Sequence, residues 1–325
     1  MSLTSTIKPK KMKNCLVTIA IPAYKATYLE QAISSAVNQT YKDIEIVVVN
    51  DKSPYEISPI VESFNDDRIR YFINEENIGG KDLVAQWNKC LFYARGEYFC
   101  LLCDDDVYEP QFVETLLALA EKYPDVDVFR ARVKGICQDG SLDFIFNSSP
   151  EYEAVYDYMW QKLKGERRQT ISEFMIRTTC ARALGGYYSL PRAWGSDSLS
   201  IFLFGMEHGI VSTNDILTVF RQSGENISSN FKNDAEEKIR AAELYREKCQ
   251  ELIPGCKDEC LRRMLEKYEP TDYDRRVLYI LNDCPLTAFV SIVLHHHVSK
   301  SLVLKSCNER LSRFLKRCIR PSRRH

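Results

Sequence analysis

Short apolar runs of strand length alternate along the first half of the chain with segments whose apolar residues recur at helical spacing. The strand-like runs are Leu16–Ile21, Ile44–Val49, Ile69–Ile73, Glu97–Leu102 and Val126–Val133. Helical spacing is seen between them, for example in Leu29, Ile33, Ala36 and Val37 and in Phe112, Leu116, Leu119 and Ala120. Because strands that alternate with helices usually pair in parallel, the pattern predicts an α/β fold with a mainly parallel sheet covered on both faces.

The alternation weakens beyond Asp139-Gly140, which lies between two apolar runs and predicts a hairpin turn. Residues 150–195 are rich in Tyr, Trp and Arg, which fits either a binding surface for a sugar or partner or a packed aromatic core. After Ser229 the chain becomes charged and helical in pattern. We therefore predict a polar N-terminal segment, an α/β domain in two parts and a C-terminal helical appendage, over residues 1–15, 16–140, 141–229 and 230–325.

Composition places the chain among folded globular proteins, since 45% of its 325 residues are hydrophobic and 27% are charged. The net charge of -1 gives no reason to expect nucleic acid as a partner. The charge is uneven, because residues 298–325 carry nine Lys or Arg and one acid, Glu309. Apolar residues alternate with these charges at roughly helical spacing. This predicts a basic amphipathic helix, either on an anionic cytoplasmic membrane surface or packed on its own domain.

The N-terminal residues 1–14 are polar and lysine-rich and have no apolar signal-peptide core, so we expect a cytoplasmic protein. Near the C-terminus, Pro285–Leu294 is the longest apolar stretch, and its ten residues fall well short of a membrane span. Several of the twelve cysteines lie in apolar runs, among them Cys100 and Cys103. We expect them to be free thiols in a reducing compartment rather than zinc ligands.

Three consecutive aspartates, Asp104, Asp105 and Asp106, follow the fourth strand-like run. Like charges this close together repel each other unless a cation or raised pKa values relieve them. Carboxylate oxygens suit Mg²⁺ or Mn²⁺, which are usually held by one or two protein carboxylates together with substrate phosphates. The alternative is an acidic turn that stabilises the N-terminus of the helix starting near Pro110.

Other polar residues follow the neighbouring strands, with Pro22–Lys25 after the first and Asp51 after the second. In an open α/β sheet, ligands bind outside the carboxyl ends of the strands where strand order reverses. The loops that carry these residues are therefore expected to meet in one crevice, and this convergence favours the metal site over the acidic turn.

Read in order, these motifs resemble the family 2 glycosyltransferases of the GT-A fold. The resemblance rests on Val17–Tyr24, Leu29–Tyr41, Ile46–Ser53, Asn77–Gly79 and Gly96–Tyr98, followed by the aspartate triplet. It is dense over residues 16–140, thinner to Ser228, and absent from the appendage. The implied fold is a GT-A type nucleotide-binding sheet flanked by helices.

The resemblance implies a site for a nucleotide-diphosphate sugar, with Asp51 on the base or ribose. Asp104 and Asp106 occupy the DxD positions and would hold a divalent metal, Mn²⁺ or Mg²⁺. Many members start this acidic motif one residue earlier, where this chain has Cys103. The donor-binding residues it implies are Pro22, Ala23, Tyr24, Asp51, Gly79, Lys81, Asp104, Asp105 and Arg221.

The stretch Gly185–Asp197 resembles the one in which the family carries its catalytic base just before a helix, so Asp197 is the candidate base. Because Asp197 precedes the apolar run Leu199–Phe204, capping of a helix is the alternative role. Members often have Glu-Asp here, and Ser196 is a departure from that pattern.

The segment Phe220–Ser228 resembles one that closes over the diphosphate. Within it, Arg221 would either neutralise a phosphate or form a surface salt bridge. The QxxRW signature of processive polysaccharide synthases is absent, so we expect one sugar to be transferred per encounter.

The function predicted from these features is inverting, metal-dependent transfer of a sugar, most simply from a UDP-sugar, to a saccharide or lipid-linked acceptor in cell-surface polysaccharide or glycolipid assembly. Two alternatives stay open. A sugar-phosphate nucleotidylyltransferase would share the sheet and metal but needs a glycine-rich loop after the first strand, and Pro22–Lys25 has no glycine. A non-catalytic nucleotide-sugar-binding module on a transferase scaffold is not excluded by sequence.

Overall fold

The computed structural model describes residues 15–224, 234–296 and 298–319. Its ten strands are β1 (Val17–Ala23), β2 (Ile44–Asn50), β3 (Ile69–Ile73), β4 (Tyr98–Leu101), β5 (Val107–Tyr108), β6 (Val128–Ile136), β7 (Leu142–Ile145), β8 (Tyr152–Glu153), β9 (Phe174–Arg177) and β10 (Ile210–Arg221). The helices are α1 (Leu29–Val37), α2 (Ile57–Glu62), α3 (Leu83–Tyr93), α4 (Phe112–Lys122), α5 (Val155–Lys164), α6 (Thr178–Ala183), α7 (Ser196–Phe204), α8 (Ala235–Leu252), α9 (Glu259–Asp283), α10 (Leu286–His295) and α11 (Lys300–Ile319).

The strands form one sheet in the order β3-β2-β1-β4-β9-β6-β10-β5, with β7 paired to β6 and β8 to β10. Strands β3, β2, β1 and β4 are parallel, as the sequence predicts. Beyond β4 the sheet is mixed, because β9 runs antiparallel to both β4 and β6. The predicted mainly parallel sheet is therefore confirmed for its first four strands and replaced by a mixed sheet in the rest.

Alternate residues of the central strands face opposite sides of the sheet, and each side has its own core. Ile19 and Ile21 of β1 pack with α1 and α4, whereas Ala20 belongs to the core formed with α3 and α7. Strand β2 is buried along its whole length. Continuous apolar runs are typical of strands covered on both faces, so the predicted two-sided covering is confirmed.

The predicted hairpin is present. Gly140 has a φ of 83°, which favours glycine, and the backbone N–H of Cys137 donates to the Ser141 carbonyl at 2.9 Å. Strands β6 and β7 then pair antiparallel. The hairpin places Phe144 and Phe146 on one side of the cleft described below.

The C-terminal helices α8–α11 are present, as predicted from the charge and apolar pattern. Tyr245 and Cys249 of α8 and Leu265 of α9 share a core with α3, α5 and α7. Helix α11 packs through Leu302 against a second group that contains Phe289 and Ile292 of α10. In the described part of the chain no helix is long and apolar enough to cross a membrane. The predicted polar segment over 1–14 and the end of the basic tail, 320–325, lie outside the described residues.

Candidate active site

The aspartate triplet lies between β4 and β5, next to the loop that follows β1. Asp104 Oδ2 accepts the backbone N–H groups of Tyr24 at 2.9 Å and Lys25 at 2.7 Å. The Lys25 ammonium lies 3.2 Å from Asp104 Oδ1 and 2.6 Å from Asp105 Oδ2. Strand order explains this meeting, because β4 is the direct neighbour of β1. One lysine therefore offsets the charge of two of the three carboxylates.

Asp106 faces different partners from the other two aspartates. Its Oδ2 accepts the Ser172 hydroxyl at 2.7 Å, and its Oδ1 accepts the backbone N–H of Arg221 at 3.1 Å. Burial, reinforced by the charge of Asp105, raises the pKa of Asp106 to about 8. Burial also raises the pKa of Asp104, against the opposing effect of Lys25. A cation beside Asp106 would favour its charged form.

Asp51 uses both of its oxygens to hold the loop that follows β3. Oδ1 accepts the Asn74 amide and the Ile78 backbone N–H, each at 2.8 Å, and Oδ2 accepts the Gly79 N–H at 2.7 Å. A Cβ at Gly79 would lie 2.8 Å from Asp51 Oδ2, so a side chain there would displace the carboxylate. Asp51 thus shapes this wall of the cleft by fixing the backbone at 78–79.

Asp197 lies in the first turn of α7, which begins after Gly195 with a φ of 94°. No side chain caps the N-terminus of α7, so Asp197 does not have the alternative role of a capping residue. Instead, Asp197 Oδ2 accepts the Gln169 side-chain amide at 3.2 Å. The preceding Ser196 is fully buried, and its hydroxyl accepts the Leu190 N–H at 2.9 Å. A glutamate at position 196 of this structure would bury a charge.

These groups line one open cleft of about 740 Å³. Its walls come from the loops after β1 to β4, from the turn between α5 and β9, and from the segment before α7. Asp51 and the triplet lie on the same cleft as Asp197. The predicted site residues that line it are Pro22, Tyr24, Asp51, Gly79, Asp104, Asp105, Asp106 and Asp197.

Three residues of the predicted donor site do not line this cleft. Ala23 is fully buried in the core beneath it. The Lys81 ammonium is solvent-exposed and pairs with Glu76 at 2.6 Å. Arg221 is buried, with its guanidinium 2.7 Å from Gln31 Oε1 and 4.3 Å from the centre of the Tyr28 ring. Residues 225–228 of the segment predicted to close over the diphosphate lie outside the described residues.

Sequence reasoning missed the turn between α5 and β9, which brings Arg168, Gln169, Thr170 and Ile171 to the cleft. A capping box joins Thr170 to Glu173, and this Thr-x-x-Glu spacing was the available signal. Beneath the turn, Glu173 forms a buried ion pair with Arg130 at 2.5 Å.

A second ion pair, between Arg167 and Glu153, holds the start of the same turn. Removing one partner of such a buried pair typically costs about 3–5 kcal/mol, because the other charge is left uncompensated. These residues are far apart in sequence, so the anchoring was not visible there.

Two further cations, Lys162 and Arg276, line the cleft on the side of Asp197. Burial lowers the pKa of Lys162 to about 8, although Asp197 opposes this shift. Among the described residues, no group of three or more His, Cys, Asp or Glu is arranged to hold a metal ion.

Comparison with known proteins identifies the family. The model of "Glycosyl transferase family 2" matches residues 18–180, half of the chain. An uncharacterized glycosyltransferase of Rickettsia conorii is 40% identical over 123 residues, which are 37% of this chain and 20% of that protein. Glycosyltransferase GlyA of Streptococcus pneumoniae is 35% identical over 145 residues, 43% of this chain and 20% of GlyA. The matched segment therefore spans only about a fifth of these relatives' length.

Two solved structures show the same fold over nearly the whole chain. S. aureus TarS 1–349 in complex with UDP-GlcNAc has a TM-score of 0.65 at 15% identity, covering 94% of this chain and 93% of that one. Mannosyltransferase PcManGT from Pyrobaculum calidifontis, in complex with GDP-Man and Mn²⁺, has a TM-score of 0.54 at 14% identity, covering 94% and 81%. The GT-A type α/β fold is thus confirmed. The chain belongs to glycosyl transferase family 2.

Proposed function

We propose that the protein transfers one sugar from a nucleotide-diphosphate sugar, UDP-linked in the simplest case, to an acceptor hydroxyl with inversion at the anomeric carbon. The observation that carries the proposal is that carboxylates with two different environments line one cleft. Asp104 and Asp106 lie among backbone donors and hydroxyls, whereas Asp197 lies beside a side-chain amide and Lys162. The two solved neighbours, crystallised with UDP-GlcNAc and GDP-Man, support the donor class.

The donor is proposed to lie against the loops after β1 to β4. Pro22 and Tyr24 would contact the nucleotide, and Asp51 would act by holding the 78–79 backbone, since its oxygens already accept three hydrogen bonds. Roles in binding the donor directly are not proposed for Ala23, Lys81 or Arg221. The backbone N–H of Arg221 instead holds Asp106.

The residues present fit a divalent cation that is held by one or two protein carboxylates together with the diphosphate of the donor. Lys25 already pairs with Asp104 and Asp105, which leaves Asp106 as the carboxylate most in need of a cation, with Asp104 beside it. Hard oxygen donors of this kind suit Mg²⁺ and Mn²⁺. Bound there, the ion would stabilise negative charge on the leaving nucleoside diphosphate.

Asp197 is proposed to accept the proton of the acceptor hydroxyl. As the acceptor oxygen bonds to the anomeric carbon, the bond from that carbon to the phosphate oxygen breaks, and its electron pair leaves with the nucleoside diphosphate. The proton ends on the Asp197 carboxylate. A single displacement of this kind inverts the configuration and needs no covalent nucleophile.

The first experiment measures release of nucleoside diphosphate from a panel of UDP- and GDP-sugars, with Mn²⁺ or with EDTA. We expect Mn²⁺-dependent hydrolysis of one donor, with water as a slow acceptor. Thermal-shift measurements on the same panel should agree, because a ligand at 100 times its Kd stabilises the folded protein by about 2.7 kcal/mol. Stabilisation without any hydrolysis would favour the non-catalytic binding module. Pyrophosphate release from a nucleoside triphosphate and a sugar phosphate would favour a nucleotidylyltransferase.

The acceptor is proposed to be a saccharide or lipid-linked saccharide at the cytoplasmic face of the membrane, in cell-surface polysaccharide or glycolipid assembly. Helix α11 supports peripheral contact. It packs inward through Leu302 and Ser306 but leaves Leu304, Leu311 and Phe314 exposed. Lys300 and Lys305 are also exposed on this helix. Packing of one face of α11 on α9 supports the prediction of a helix packed on its own domain. The exposed apolar and basic residues support the prediction of membrane contact.

Vesicle co-sedimentation tests this contact. Replacing Leu311 and Phe314 together by Ser should reduce binding to vesicles with anionic lipid, because the variant loses apolar area while keeping the basic residues, each worth about 1 kcal/mol near the surface. The matched control is Phe92→Ser, an exposed aromatic on α3. Parental protein that stays in the supernatant with anionic vesicles at low salt would contradict the proposal.

A further inference from the structure

A hydrogen bond joins Gln169, on the wall of the cleft, to the proposed base Asp197. Gln169 lies in the turn between α5 and β9 and lines the cleft. Its Nε2 donates to Asp197 Oδ2 at 3.2 Å. Within the described part of the chain, Asp197 Oδ1 accepts no hydrogen bond. One oxygen of the carboxylate is therefore held, and the other is available to a ligand.

The orientation of the Gln169 amide is fixed from behind by Tyr158. The Tyr158 hydroxyl donates to Gln169 Oε1 at 2.9 Å, and its ring is fully buried. Burial raises the pKa of Tyr158, so the hydroxyl stays protonated and acts as the donor. Because the amide oxygen faces Tyr158, the amide nitrogen has to face Asp197.

The backbone that carries Gln169 is held on both sides. Before it, Arg167 pairs with Glu153 at 2.5 Å, and after it Glu173 pairs with buried Arg130 and closes the capping box with Thr170. The guanidinium groups of Arg130 and Arg167 also lie 5.8 Å and 5.6 Å from the centre of the Tyr158 ring. Gln169 and its partner Tyr158 are thus fixed by the same ion pairs, which limits how far the amide can move.

We propose that Gln169 is a positioning residue that holds Asp197 Oδ2, so that Oδ1 points to the acceptor hydroxyl. This inference rests on the proposed role of Asp197 as base. A carboxylate that lines an open cleft can rotate about its last torsion unless one oxygen is held. Lost alignment of this kind lowers the rate of the chemical step, whereas the proposed donor contacts of Pro22 and Tyr24 come from a different loop and stay in place.

The test uses Gln169→Leu, which keeps much of the side-chain shape and removes the amide N–H that donates to Asp197. With the nucleotide sugar selected by the panel, we expect kcat for hydrolysis to fall about 10- to 100-fold, with the Kd for the nucleoside diphosphate and Mn²⁺ unchanged. The melting temperature should fall slightly, because the buried Tyr158 hydroxyl loses its acceptor. Tyr158→Phe should give a smaller fall in kcat, since the amide is then free to turn. Gln250→Leu, an exposed glutamine on α8, is the matched control.

A double-mutant cycle with Asp197→Asn separates this inference from the proposed function. If Gln169 acts through Asp197, adding Gln169→Leu to Asp197→Asn should cause little further loss. Equal losses in both backgrounds would overturn the positioning role, as would parental kcat in Gln169→Leu or a loss of donor affinity as large as the loss of kcat. Parental kcat in Asp197→Asn alone would instead overturn the role of Asp197 as base.

Discussion

Replacement of Asp197 by Asn is expected to lower kcat by about 10²- to 10⁴-fold, the range that a general base contributes. Donor binding should stay at the parental level, because the proton is transferred only in the transition state. Both kcat and kcat/KM should therefore fall together while KM changes little. Steady-state kinetics with the donor selected by the panel, together with calorimetric titration of the nucleoside diphosphate, measure the two quantities separately.

The matched control for this variant is Asp215→Asn, since Asp215 is exposed and its carboxylate accepts the Thr213 hydroxyl at 3.1 Å within the same strand. It should retain parental activity. Asp197→Asn exchanges side chains of nearly the same shape, so we expect the melting temperature of this variant to equal that of the parent. Turnover near the parental value would reassign Asp197 to electrostatic stabilisation of the α7 N-terminus, where an acidic residue is favourable.

Asp106→Asn is expected to abolish both turnover and the dependence of nucleotide binding on Mn²⁺. A cation that bridges protein carboxylate and diphosphate couples the two, and exchanging a charged oxygen for an amide removes its strongest protein ligand. Because burial raises the pKa of Asp106 to about 8, this carboxyl is largely uncharged in the apo protein at neutral pH, and the asparagine should leave the melting temperature close to the parental value. The measurement is titration of UDP or GDP, as the panel indicates, with Mn²⁺ and with EDTA.

Asp139→Asn, in the exposed hairpin turn between β6 and β7, serves as the control for Asp106→Asn and should bind nucleotide like the parent. Parental affinity of Asp106→Asn in the presence of Mn²⁺ would contradict the metal role. In that event Lys25, which already pairs with Asp104 and Asp105, becomes the cation to test as the group that offsets diphosphate charge.

The parallel half of the sheet and the position of the aspartate triplet were predictable from sequence. Strands β1, β2 and β4 are buried on both faces, and such strands need continuous apolar runs, which periodicity detects directly. The polar residues that end these runs must lie at one edge of the sheet, because parallel strands finish there together. The meeting of Lys25 with Asp104 follows from this rule.

The second half of the site was less visible from sequence. Residue Asp197 was found only through a family resemblance, since an acidic residue before an apolar helix is equally typical of a helix terminus. Its partner Gln169 lies 28 residues away in sequence. No local rule links an amide in one turn to a carboxylate in another.

The sequence by itself determined which segments of this protein form the buried parallel strands and which carboxylates end them, because burial and periodicity act on neighbouring residues. Only the tertiary structure decided that β9 enters between β4 and β6, since the four residues Phe174–Arg177 carry no information about their partners. It also paired Arg221 with Gln31 and brought Gln169 to Asp197. The Arg221 contact depends on long-range packing, because its partner Gln31 lies 190 residues away. Gln169 and Asp197 are 28 residues apart and lie in separate turns, so no local rule brings them together.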